Sequence, residues 1–301
     1  MAGESWITKG VGDSKTPTQE VAKKSLFDNG VGDETLKGLD VLVYGDSNTG
    51  KTYFASTFPE PVFFIDTEGR ANKTRQFHFP GKVIKISSPM EIRADYKSEK
   101  ELENAVDMEK SVDNLINALV EISNEVKSGK LKNGTVVVDS MSDVWSWIQE
   151  EGKVRLAKAG KIDMNQFRIK NQFDWGGITN KYLSFLLAVK KLTEQGVNVV
   201  LTAREKKTPD YIAGANEGSG MFEEKIKAQK DTPYHISTII NLDLKKFKTA
   251  EGIKEKRFAR IEKLESISGE PQDIENITYI KLKEVIDKKR GELLKGGKQW
   301  L

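Results

Sequence analysis

YGDSNTGKTYFA, residues 44–55, decides how this chain is read. Gly45 and Gly50 frame four polar residues, Lys51 and Thr52 follow at once, and an apolar run lies on either side. The run before it, DVLVYG (40–45), is short and β-branched like a strand, while KTYFASTF (51–58) stops at Pro59 like a short helix. G-x-x-x-x-G-K-[ST] between a strand and a helix is a phosphate-binding loop. Its glycines let the backbone wrap an anion without Cβ clashes, and successive N–H groups and the helix dipole form the cradle. Gly45, Asp46, Ser47, Asn48, Thr49, Gly50, Lys51, Thr52 and Tyr53 are therefore the candidate nucleotide-binding residues. Lys51 is expected on the β and γ phosphates, and the Thr52 hydroxyl on Mg²⁺.

Working outward, apolar strand-like runs recur at PVFFIDTEGR (61–70), KVIKISS (82–88), TVVVDS (135–140) and VNVVLTA (197–203). Helical spacing appears at 99–127, 142–158 and 180–196. Strands alternating with helices define an α/β fold, a mainly parallel twisted sheet flanked by helices. TIINLDLKKFK (238–248) and KRFARIEKL (256–264) add a late antiparallel hairpin around TAEG. The organisation expected is a flexible arm at 1–37 with a minor helix at 19–27, a core carrying the phosphate loop at 38–265 and a C-terminal extension at 266–301.

Composition narrows the chemistry. The 301 residues carry 48 Lys and Arg against 45 Asp and Glu, so the net charge of +3 does not by itself call for nucleic acid. There is no Cys, and His78 and His235 are the only histidines, so thiolate chemistry is excluded and any metal must be held by carboxylates and hydroxyls. Both histidines are expected to pack or lie in loops. No apolar run approaches a membrane span and MAGESWITKGVGDSKT is too polar for a signal peptide, so a cytoplasmic protein is expected.

Hydrolysis needs acids on the carboxyl edge of the sheet. Asp139 ends TVVVD and suits the Mg²⁺ shell, on a strand neighbouring the loop; a cap on the following helix is the compatible alternative. Glu68 follows VFFIDT and is the candidate base that positions water, with Asp66 its rival.

Together, DVLVYGDSNTGKT, VFFIDTEG and TVVVDS resemble the RecA/RadA recombinase ATPase core. Asp174-Trp175-Gly176 and VVLTAREK (199–206) are similar to the phage and archaeal-virus RecA-like single-strand-annealing proteins, AAA-domain NTP-binding proteins. The resemblance spans roughly residues 38–265 and implies Lys51 and Glu68 in catalysis, Thr52 and Asp139 at the metal, and ATP and Mg²⁺ as cofactors. It departs where RecA carries an Asn-Gln pair: Thr202-Ala203-Arg204 stands there, so Arg204 takes the sensor's place or is an exposed loop arginine.

The family's DNA-contacting loops correspond to 153–175 and 204–235. In the first, Arg155, Lys158, Lys161, Arg168 and Lys170 alternate with aromatics, a pattern that holds single strands, although a solvated face explains the same lysines and Trp175 is expected in the core. The second is read as a long irregular functional loop. Arg257, Arg260 and Lys263 are candidates for a finger reaching a neighbouring subunit, against the alternative of a hairpin edge blunted by charge. Alternation puts Arg257 and Lys263 on one face. The expected partners are single-stranded DNA, further copies of the chain in a ring or filament, and a single-strand-binding protein. The rival is a nucleotide-dependent switch or chaperone-like module with a protein partner and no DNA.

Overall fold

The structure is a computed structural model that describes residues 37–92, 105–162, 167–169, 172–209, 222–249, 252–264 and 272–296. Two compact units divide the chain, Met1–Thr35 and Leu36–Leu301, and every described residue lies in the second. The arm at 1–36, with the helix read at 19–27, lies outside the described residues.

Among the described residues nine strands carry the fold: β1 (Asp40–Gly45), β2 (Val62–Asp66), β3 (Ile84–Ser87), β4 (Thr135–Asp139), β5 (Asn198–Pro209), β6 (Phe222–Ile226), β7 (Thr238–Thr249), β8 (Gly252–Leu264) and β9 (Gln272–Glu275). Their order is β3-β2-β4-β5-β1-β7-β8-β9, with β6 on β5. All pairings from β3 to β7 are parallel; β7–β8, β8–β9 and β5–β6 are antiparallel. The fold class read from the sequence is thus present, late hairpin included.

Helices cover both faces. On one, α3 (Met108–Lys127), α4 (Met141–Gly160) and α5 (Gln172–Glu194) bury Leu115, Ile148 and Phe185 against Leu42, Val138 and Leu201. On the other, α1 (Lys51–Ser56), the first residue of α2 (Ala71–His78) and α7 (Tyr279–Gly296) bury Phe54, Ala71 and Leu282 against Val41, Val43 and Val200. Successive strand residues point to opposite faces, so a strand covered twice is apolar at every position, as Val41-Leu42-Val43 and Val136-Val137-Val138 are. The one-turn helix α6 (Thr232–His235) is tied to α5 by the bond between the Tyr182 and Thr232 hydroxyls, 2.9 Å. Burial holds the Tyr182 phenol above its usual range.

Four details depart from the sequence reading. β5 separates β4 from β1, so Asp139 is not on the strand beside the loop. The 99–127 helix starts at Met108, because Asp107 caps it by accepting the Lys110 amide. The long loop at 204–235 is partly regular, since β5 continues to Pro209 and pairs with β6. A register shift leaves Glu262 without a partner between the pairs Ile239–Lys263 and Ile240–Ile261. That bulge reverses alternation, so Ala259, Ile261 and Leu264 share one core and Lys263 no longer faces with Arg257.

Candidate functional site

The phosphate loop lies at the carboxyl end of β1, between β5 and β7. Gly45 has φ 152° and Gly50 φ 99°, and a Cβ on Gly45 would stand 2.2 Å from the Leu242 carbonyl oxygen. Both glycines are therefore required by the backbone path. Gly50 caps α1 without a side-chain bond, leaving first-turn amides directed at an incoming anion. Lys51 Nζ donates to the carbonyl oxygens of Gly45 at 2.9 Å and Asp46 at 2.7 Å, folding back along the loop. Burial lowers its pKa, against the opposing pull of Asp139, Glu68 and Asp46.

Asp139 sits 2% exposed at the end of β4. Although β5 intervenes, its Oδ2 accepts the Thr52 hydroxyl at 2.6 Å and its Oδ1 accepts the Thr202 hydroxyl at 2.5 Å. Burial raises its pKa, partly offset by those two hydroxyls and reinforced by Glu68 and Asp66. A buried carboxylate held only by neutral hydroxyls is a seat for a cation, and the Thr52–Asp139 oxygens are the hard donors Mg²⁺ takes. Among the described residues no group of three or more His, Cys, Asp or Glu is placed to hold a metal ion.

The two acids of β2 have different work. Asp66 is buried, and its Oδ1 accepts the amides of Glu68 at 3.1 Å and Gly69 at 2.8 Å while Oδ2 accepts Ala71 at 2.9 Å. Its lone pairs shape the turn into α2, so the rival base is a structural residue. Thr67 braces the same edge: its hydroxyl accepts the Ser140 amide at 2.7 Å and donates toward Asp143 Oδ2 at 2.9 Å. The Asp139–Ser140 peptide beneath it is cis. Glu68 is left facing the cavity, where Arg204 Nε and Nη2 donate to its Oε1 at 3.1 and 3.0 Å. Arg204 Nη2 also reaches Asp143 Oδ1 at 2.9 Å. Those carboxylates raise the Arg204 pKa despite partial burial.

Arg204 is itself anchored: its amide donates to Ser142 Oγ at 2.9 Å, and Ser142 Oγ donates to the Lys227 carbonyl at 2.6 Å. Arg204 is therefore no idle loop arginine, as one reading of the sequence allowed. Thr67, Ser142, Asp143 and Thr202 were not singled out as site residues from sequence; the available signal was that the first three lie within four positions of a strand-end acid and Thr202 two before Arg204.

Lys51, Thr52, Glu68, Asp139 and Arg204 line a cavity of about 670 Å³ that also takes in Asp46, Ser47, Asn48, Tyr53, Arg70 and Arg257. A second, more apolar cavity of about 360 Å³ opens between α1 and the middle of β8, walled by Tyr53, Phe54, Leu242, Phe258 and Ile277. His78 borders both and meets the Tyr53 ring edge-on at 5.4 Å, so it packs at the site rather than standing in a loop. The first cavity suits a polyphosphate and the second a ring.

The remaining candidates scatter. Arg260 pairs with Asp273 at 3.2 Å, and Lys263 Nζ donates to the Pro233 and Ile236 carbonyls at 2.8 and 2.6 Å. Arg155 is 3.6 Å from Glu151 and Lys158 4.0 Å from Glu109. Lys161 ends α4 with φ 52°, exposed like Arg168, and Lys170 lies outside the described residues. Trp175 is 38% exposed and Phe173 92% exposed on the first turns of α5, so Trp175 is not the core residue expected.

A strand, glycine loop and helix closing over Lys51, with Thr52 held to a strand-end aspartate, define a nucleotide-binding P-loop domain. The profile of the AAA domain family AAA_24 matches residues 37–269, and the chain belongs to that family. No curated protein matches the sequence. Among solved structures, the KaiC-like protein PH0186 from the hyperthermophilic archaeon Pyrococcus horikoshii OT3 is similar, at 19% identity and a TM-score of 0.38, over 79% of this chain and 85% of that one. No helix among the described residues is long and apolar enough to cross a membrane.

Proposed function

We propose that the protein is a RecA-like, Mg²⁺-dependent ATPase that acts on single-stranded DNA in recombination or annealing, assembled side by side with further copies. The observation that carries the hydrolytic reading is the pairing of a loop threonine with a buried strand-end aspartate, opposite a cavity-facing Glu68. Thr52 and Asp139 would hold a Mg²⁺ ion, whose charge would offset that of the phosphates. Glu68 orients a water on the γ phosphorus and accepts its proton; the new P–O bond forms as the bond to the β–γ bridging oxygen breaks, giving ADP and phosphate. Lys51 leaves the Gly45 and Asp46 carbonyls for the β and γ phosphates. Arg204 is the cation placed to sense the γ phosphate: holding Glu68 before ATP arrives, it exchanges that carboxylate for phosphate oxygens and frees the base.

Support for single-stranded DNA comes from the exposed rings of Phe173 and Trp175 and the exposed cations Arg168 and Lys161, close in sequence, since bases stack on aromatic faces while cations track phosphate. The second reading, a nucleotide switch with a protein partner, is favoured by the carboxylates beside Arg155 and Lys158. Measuring ATP turnover with and without an oligothymidylate at two salt concentrations separates them. Stimulation that fades with salt is expected; turnover indifferent to the strand would leave a partner of protein.

A further inference from the structure

Of the three hairpin cations, Arg257 stands apart. The guanidinium of Arg260 is paired with Asp273, and the amine of Lys263 is bound by two carbonyl oxygens. Lys256, next to Arg257, pairs with Glu275 at 3.0 Å. Among the described residues no carboxylate pairs with Arg257, whose side chain lies on the α1 side of β8. Its stem covers the phosphate loop of its own chain: a Cβ on Gly50 would lie 3.2 Å from Arg257 Cδ and 3.4 Å from Nε. A Cβ at that distance is tighter than most, and φ 99° itself disfavours a side chain at this position, so glycine leaves room for the arginine stem.

Placement adds the second half of the argument. Arg257 belongs to the wall of both cavities, the polar one above the loop and the apolar one behind it, together with Gly50, Tyr53 and His78. A nucleotide that puts its phosphates in the first and its base in the second must cross that shared wall with its ribose and α phosphate. A guanidinium with no acceptor among the described residues at such a crossing is a donor fork that a phosphate oxygen or ribose hydroxyl satisfies.

We propose that Arg257 is a clamp acting within its own chain, binding the α-phosphate and ribose of the nucleotide seated on the same phosphate loop, and not a finger extended to a neighbouring subunit. The proposal rests on the nucleotide-binding reading above. Because ADP and ATP share the α phosphate and ribose, the clamp holds both alike, and it works in a lone subunit. An arginine reaching another subunit's γ phosphate distinguishes ATP from ADP and needs assembly.

The test is calorimetric titration of the full chain with Mg²⁺-ADP and with a non-hydrolysable Mg²⁺-ATP analogue, at dilutions that favour single subunits. Arg257→Ala is expected to weaken both ligands by the same factor, on the order of 10- to 100-fold, the span of one or two charge-assisted hydrogen bonds. Arg257→Lys, which keeps the stem and the charge but loses the fork, is expected to fall between, and it carries the test should the alanine variant unfold. ADP affinity equal to wild type in both variants overturns the clamp. So does a larger loss for the ATP analogue than for ADP, or turnover lost in Arg257→Ala and restored by mixing with Lys51→Ala subunits that lend their arginine. If wild type binds ADP no better than Lys51→Ala, the nucleotide reading itself fails and the clamp falls with it.

Discussion

Glu68→Gln is expected to bind Mg²⁺-ATP within about threefold of wild type while its turnover falls by about 10²- to 10⁴-fold, the range general-base removal commands. The amide keeps the size and reach of the side chain but accepts no proton. Arg204 then loses one of its two carboxylate partners and keeps Asp143, so the cation stays at the mouth of the cavity. Rapid-quench measurement of phosphate formed on the enzyme separates loss of chemistry from slow release. A variant that turns over like wild type would remove Glu68 from the reaction. Asp66, the other acid of the strand, gives no such signature, because its oxygens are committed to the amides of Glu68, Gly69 and Ala71.

Asp139→Asn is expected to lose turnover by a similarly large factor and yet to raise the melting temperature of the nucleotide-free protein by a few degrees. Burial holds the Asp139 carboxyl above its usual range, so near neutral pH the folded chain maintains a charge it would rather shed. The sign follows from proton counting. A carboxyl whose folded pKa is raised binds more protons folded than unfolded, so its penalty is fully present above the folded pKa and is relieved as pH falls through it toward the unfolded value. Asparagine abolishes the penalty at every pH: its oxygen accepts one of the Thr52 and Thr202 hydroxyls and its amide donates to the other. At about 2–4 °C per kcal/mol for a domain of this size, differential scanning calorimetry at pH 7 and pH 5 reads the gain, which is expected to shrink at the lower pH. A variant less stable than wild type at pH 7 would show the carboxylate to be a net stabiliser. Stability sacrificed at a metal seat is a familiar pattern in active sites.

Motifs that act locally were readable from sequence and partners that meet across the sheet were not. GDSNTGKT declared itself because six consecutive backbone units do the binding, and the strand before it and the helix after it are written in adjacent residues. Asp139 and Glu68 were legible as strand-end acids, since apolar runs covered on both faces are hard to mistake. What Arg204 does was not legible, because its partners Glu68 and Asp143 are 136 and 61 positions away. Strand order was equally hidden: β5 slips between β1 and β4 only because the crossovers place it there. The bulge at Glu262 overturned the facing of Arg257 and Lys263 by one inserted residue, which period-two reasoning has no means of anticipating. Short elements such as α2 escaped for a different reason, as Ala71 is the one residue of that helix that is buried and no apolar stripe marks it.

Steady-state release of phosphate from ATP by the wild-type protein, with Lys51→Ala run beside it, tests the account most directly. Mg²⁺-dependent turnover that disappears in Lys51→Ala is the result expected, because the amine that now bonds to Gly45 and Asp46 is the group that must reach the phosphates. Turnover that survives the loss of Lys51, or none in the wild type under any nucleotide, metal or strand condition, would contradict the assignment of this cavity to ATP hydrolysis.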